Sequence, residues 1–136
     1  MNMGVLTNFV RTFPEAKLTG SYYFGNATST SDVDFFMAYD SGTLRKLTNL
    51  GFRQIPQDAY KDTFTKQVWA MQDIHVQLLD EANVGIKEKA QVFLAHMPAE
   101  LCQVFLDLSK SKSKRENYIA LSEIWNWAIN TVRGAH

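Results

Sequence analysis

The sequence predicts an α+β fold: a mixed sheet with helices packed on one face and a helical C-terminal third. Three observations predict it. Runs rich in β-branched and aromatic residues, such as Val33-Asp34-Phe35-Phe36 and Ile74-His75-Val76-Gln77-Leu78-Leu79, fall before residue 80. Short helical patterns interrupt them. Beyond residue 84, apolar residues recur at helical spacing only. The expected organisation is a single domain over residues 1–136, with an αβ core over 1–84 and helices over 85–136.

The elements follow in order. Val5, Leu6, Phe9, Val10 and Phe13 recur at helical spacing, and Pro14 stops that helix. Ala16 to Thr19 is a short strand ending at Gly20-Ser21. The stretch from Ser21 to Ser31 is rich in Gly, Asn, Ser and Thr and reads as a turn-rich connection. Asp32 to Tyr39 is the next strand. Asp40-Ser41-Gly42 is turn chemistry, followed by a helix over Thr43 to Leu50 that Gly51 terminates. Phe52 to Ile55 is a brief strand ended by Pro56, and Gln57 to Asp62 is a polar loop. Phe64 to Met71 and Ile74 to Leu79 form a hairpin through Gln72-Asp73, a pair that is not a favoured hairpin turn. Three helical stripes close the chain: Ile86, Ala90, Phe93, Leu94, Met97; then, after Pro98, Leu101, Val104, Phe105, Leu108; then Tyr118, Leu121, Trp125, Ala128, Ile129, Val132.

Composition bounds the function. At 136 residues the chain suits one domain that folds without a metal or disulfide staple. Fourteen Lys and Arg balance fourteen Asp and Glu, so no global field favours nucleic acid. The one cysteine, Cys102, sits in an apolar pattern and reads as a buried thiol. With no basic leader before an apolar stretch and no apolar run near ~20 residues, neither a signal peptide nor a membrane span is expected. A reducing, cytoplasmic setting fits.

Chemistry concentrates in Gly20-Ser21-Tyr22-Tyr23-Phe24-Gly25-Asn26-Ala27-Thr28-Ser29-Thr30-Ser31-Asp32-Val33-Asp34-Phe35. Residues two apart on a strand share a face, so Asp32 and Asp34 present two carboxylates side by side. Such a pair is a hard oxygen site suited to Mg²⁺ or Mn²⁺. Gly20 lets backbone approach a phosphate, and the Ser21 hydroxyl and nearby N–H groups are phosphate donors. An isolated Asp-x-Asp is weak: a Ser-Asp turn entering a strand, with the second Asp solvated, is the plainer reading of it. The Gly-Ser element at this spacing is what lifts it.

The segment resembles the signature of the DNA polymerase β superfamily of nucleotidyltransferases, the small bacterial and phage-encoded members most closely. The resemblance covers about Val5 to Asp80. It implies a nucleotidyltransferase fold, with a triphosphate held by Gly20, Ser21 and Ser31 and metals held by Asp32 and Asp34. The implied activity moves an NMP from an NTP to an acceptor, RNA, protein or a small molecule, and releases pyrophosphate. The family's third carboxylate is missing at the aligned place, which is His75. Three readings stand. His75 replaces the base, since imidazole accepts a proton near neutral pH and tolerates Mn²⁺ or Zn²⁺ better than Mg²⁺. Alternatively, the protein is catalytically inactive and works by binding a nucleotide or a protein partner. Otherwise Asp73 or Asp80 supplies the acid.

Other candidates have plainer readings. His96 and His136 suit surface or capping roles, and Trp69, Trp125 and Trp127 suit packing, although an exposed tryptophan on the last helix would favour a protein partner. Tyr22, Tyr23 and Phe24 pack beneath the site or flank a nucleotide. Lys110, Lys112, Lys114 and Arg115 form a solvated loop or a handle for a polyanion. Arg45, Lys46, Arg53, Lys61 and Lys66 are further cations, and the sequence does not single out one for phosphate.

Overall fold

A computed structural model describes residues 3–25, 27–56, 64–97, 107 and 114–134. The elements are α1 (Met3–Thr12), β1 (Lys17–Thr19), α2 (Gly20–Phe24), β2 (Val33–Ala38), α3 (Ser41–Leu50), β3 (Arg53–Ile55), β4 (Thr65–Met71), β5 (Ile74–Leu79), α4 (Glu81–Ala95) and α5 (Lys114–Gly134). The chain divides into two compact units: 1–56 with 66–81, and 57–65 with 82–136. Among the described residues, no helix is long and apolar enough to cross a membrane.

The first unit is built on a five-stranded sheet of order β1-β2-β5-β4-β3. β1 runs antiparallel to β2, β2 parallel to β5, and β3 antiparallel to β4, so the sheet is mixed. Alternation along the strands separates two faces. Val33, Phe35 and Met37 of β2 and Ile74, Val76 and Leu78 of β5 point to one of them. There they join Phe9 and Phe13 from the α1 segment, Leu47 of α3, and Phe52. Phe9 is the hub of the aromatic contacts, with ring centroids 5.2 Å from Phe13, 4.8 Å from Phe35 and 5.5 Å from Phe52. A fully buried phenylalanine of this kind contributes on the order of 1.5–3 kcal/mol through burial. Helices α1 and α3 thus share one sheet face. Burial is not confined to that face: Phe36, Val68 and Leu79, which alternate to the other side, are buried as well.

Local signals explain the ends. The stretch 40–42 is not a free turn: Asp40 is the N-cap of α3, accepting from the Thr43 N–H at 2.7 Å. Gly51, at φ 100°, closes the same helix in the left-handed conformation that favours glycine. The Gln72-Asp73 turn joins β4 to β5, with Gln72 at φ 52°. The stretch after Thr19, expected as an irregular connection, starts with the five-residue helix α2. Val10, placed on the apolar stripe of α1, is instead 47% exposed.

In the second unit, α4 buries Lys87, Ala90, Gln91 and Leu94, and α5 buries Ala128 and Ile129. The Lys87 ammonium lies 4.9 Å from the centre of the Trp125 ring. That geometry gives the buried charge an aromatic face. Phe93 and Trp127 meet edge to face at 5.3 Å. The loop 57–62, the helix after Pro98 with Cys102, Lys61, Lys110, Lys112 and His136 lie outside the described residues.

Candidate functional site

The site is assembled by strand register at one end of the sheet. Thr19 of β1 is paired with Asp34 of β2, and Asp34 with His75 of β5. These three side chains therefore stand in a row on the sheet face opposite the α1/α3 core. The Val33 N–H donates to the Asp73 carbonyl at 2.8 Å, which fixes the start of β2 against the start of β5. Asp32 immediately precedes β2 rather than opening it, yet its carboxylate reaches the same place. His75 Nε2 is 3.6 Å from Asp32 Oδ2, and His75 Nδ1 is 3.9 Å from Asp34 Oδ1. The imidazole lies between the two carboxylates with one nitrogen facing each, slightly beyond hydrogen-bond length. The Asp32 side chain is 47% exposed, against 29% for Asp34 and 28% for His75, so the group is open to solvent on its outer side.

Gly20 completes the arrangement. Its φ is 68°, in the region favouring glycine. A Cβ there would stand 3.2 Å from both Cβ and Cγ of Asp34 and would overlap a carboxylate oxygen. Glycine is thus required twice, once by its backbone angle and once by the carboxylate it faces. Ser21 follows in α2, part-buried, and its carbonyl accepts from the Gly25 N–H at 2.9 Å. Thr19, the residue before Gly20, is extended and 2% exposed.

The other sequence candidates fall as follows. Ser31 serves the local backbone. Its hydroxyl accepts from the Thr28 N–H at 2.8 Å, and its own N–H donates to the Thr28 carbonyl at 3.1 Å. This closes a turn just before Asp32. Asp80 is at the far end of β5, bonded to Lys66 at 2.9 Å. Hydrogen bonding and charge from Asp80 raise the Lys66 pKa above the ordinary lysine value. Asp73 is exposed in the β4–β5 turn. Tyr22 packs against the apolar core, while Tyr23 and Phe24 meet edge to face at 5.0 Å. Trp69 is a packing residue beside the core. His96 Nδ1 faces the Val92 carbonyl at 2.7 Å, a bond that ties off the end of α4. Trp127 is half exposed despite its contact with Phe93.

Two carboxylates beside an imidazole fit a divalent cation in kind, with the nitrogen favouring Mn²⁺ or Zn²⁺ over Mg²⁺. As the side chains stand, no three His, Cys, Asp or Glu groups among the described residues form a metal-binding set. No protein-family model matches the chain, and no curated protein or solved structure matches it significantly.

Proposed function

We propose that the chain is a metal-dependent nucleotidyltransferase of the polymerase β-like fold that transfers an NMP from an NTP and releases pyrophosphate. One observation supports this above others: the Gly20 backbone abuts Asp34 while Asp32 and Asp34 flank His75 at one sheet end. Asp32 and Asp34 would hold Mg²⁺ or Mn²⁺. When bound, the metal supplies positive charge for the phosphoryl oxygens. Gly20 and Ser21 would present backbone and hydroxyl donors to the triphosphate. As the acceptor hydroxyl bonds to the α-phosphorus, the bond to the β-phosphate bridging oxygen breaks, and His75 takes the hydroxyl proton. The acceptor would be RNA, a protein or a small molecule. Incubation with each α-labelled NTP and Mn²⁺ or Mg²⁺ tests the proposal, with Asp32→Asn and Asp34→Asn as controls. The expected result is label on an acceptor, lost in both variants. No transfer with any NTP, or transfer indifferent to both variants, overturns it.

A second reading has its own support. The residue beside Asp34 on the neighbouring strand is an imidazole and not a carboxylate, and Trp127 on α5 exposes half its surface. Both suit a catalytically inactive nucleotidyltransferase-like protein that binds a nucleotide or a protein partner. It predicts metal-dependent NTP binding with no turnover.

A further inference from the structure

Asp32 and Asp34 are held in different ways. Asp34 lies inside β2 and is paired on both sides, with Thr19 of β1 and His75 of β5. Asp32 lies one residue before the strand, and among the described residues no strand pairing fixes it. Its backbone is anchored instead through its two neighbours. After it, the Val33 N–H donates to the Asp73 carbonyl at 2.8 Å. Before it, Ser31 is bonded to Thr28 twice, in opposite senses. The Ser31 N–H donates to the Thr28 carbonyl at 3.1 Å, and the Ser31 hydroxyl oxygen accepts from the Thr28 N–H at 2.8 Å.

The stretch 28–31 has little else to shape it. Among the described residues its hydrogen bonds run only within itself: the two just named, and the Thr28 hydroxyl oxygen at 3.2 Å from the hydroxyls of both Thr30 and Ser31. Thr28, Ser29 and Thr30 are exposed, so packing contributes little to the shape of the turn. The direction in which the chain leaves this turn sets where the Asp32 carboxylate falls relative to Asp34 and to His75, 3.6 Å away. A cation such as Mg²⁺ takes oxygen ligands at about 2.0–2.1 Å in a nearly fixed geometry, so displacing one carboxylate is felt directly as lost affinity. Removing the Ser31 hydroxyl would take away one of the two bonds that close the turn and return the Thr28 N–H to water. The hydroxyl is also engaged locally at both ends: its oxygen accepts from the Thr28 N–H, and Thr28 Oγ1 offers an acceptor for its proton.

We infer that Ser31 is a positioning residue for the cation site: by tying its hydroxyl to the Thr28 N–H it holds Asp32 beside Asp34, and so sets how tightly the two carboxylates take a divalent cation. The assignment rests on the nucleotidyltransferase reading. The alternative is that the hydroxyl donates to the triphosphate, as the motif implies. Calorimetric titration of the full metal-free chain, first with Mn²⁺ alone and then with NTP at saturating Mn²⁺, separates them. Ser31→Ala should weaken Mn²⁺ binding by roughly twofold to tenfold, the range for one lost hydrogen bond, and leave NTP binding at saturating Mn²⁺ close to wild type. The Thr28 amide should also exchange faster in metal-free Ser31→Ala, which reads the bond itself. Ser31→Thr keeps the hydroxyl and should restore both, which guards against a folding artefact. Thr28→Val keeps the amide donor and should bind Mn²⁺ as wild type does. If Ser31→Ala binds Mn²⁺ as wild type does while Asp32→Asn does not, the Ser31 assignment fails and the site reading stands; weaker NTP binding in Ser31→Ala would then assign the hydroxyl to phosphate. If wild type binds no Mn²⁺, both fall together.

Discussion

Gly20 and Asp34 are coupled: a Cβ at residue 20 would sit 3.2 Å from the Asp34 Cβ and Cγ and overlap the carboxylate that pairs, through its strand, with His75. Any side chain at residue 20 therefore perturbs the site and the backbone at once. Gly20→Ala should destabilise the protein by about 2–4 kcal/mol, combining the left-handed penalty with overpacking. In the Asp34→Ala background the same change should cost less, because the overlap with the carboxylate is removed and only the backbone term and the 3.2 Å approach to the residue 34 Cβ remain. Urea unfolding of the four proteins gives the coupling. A coupling near zero would mean that the Gly20–Asp34 approach carries no energy.

His75 separates the two functional readings. In a working transferase, His75→Ala should lower the rate by roughly 10²–10⁴-fold, the usual loss for a general base. In an inactive protein, His75→Asp should instead create Mg²⁺-dependent transfer by placing a third carboxylate between Asp32 and Asp34. Single-turnover assays with α-labelled NTP check both. If neither variant alters transfer, His75 lies outside the chemistry and Asp73 is the next residue to change.

Lys66 gives a pH prediction at the other end of β5. The Asp80 carboxylate raises its pKa in the folded state. The pair's contribution is therefore fully present below the unfolded lysine value of about 10.4 and is lost as pH rises through the folded value. The stability difference between wild type and Lys66→Met should shrink across that alkaline window. Because the pair is solvent-exposed, the difference should also shrink with added salt. Denaturant midpoints measured from neutral to alkaline pH test this, and a difference that grows with pH would contradict it.

The β4–β5 turn places Gln72 at φ 52°, which costs a side chain about 1–2 kcal/mol. Gln72→Gly should raise stability by about 0.5–1 kcal/mol, since glycine gives back part of the gain as unfolded-chain entropy. Thermal unfolding would show it.

Strand alternation made β2, β5 and the hairpin legible, and the Gly-Ser and Asp-x-Asp spacing brought Gly20, Asp32, Asp34 and His75 forward as a group. Leucines at helical spacing gave α3. Other features depend on partners distant in sequence. Lys87 and Gln91 are buried in α4, but no hydrophobic pattern marks a lysine whose cover is a tryptophan ring on another helix. Asp40 reads equally well as a turn residue or as a cap until Thr43 is seen to bond to it. Ser31 belongs to the motif by spacing, yet its hydroxyl is taken up by Thr28.

The parallel pairing of β2 with β5 also has a kinetic consequence. β4 and β5 meet through a tight turn, whereas Asp34 and His75 meet only after the whole stretch from Tyr39 to Asp73 has been closed into a loop. Loop closure of that size has an entropic cost that local pairings avoid, and such contacts form slowly. The expected order of assembly is hairpin first and parallel seam last. Pulsed hydrogen exchange during refolding reads this directly at two amides on the seam, Val33 bonded to the Asp73 carbonyl and Tyr39 bonded to the Leu79 carbonyl. Both should gain protection after the β4–β5 amides, so the chain would acquire its site in the closing step of folding.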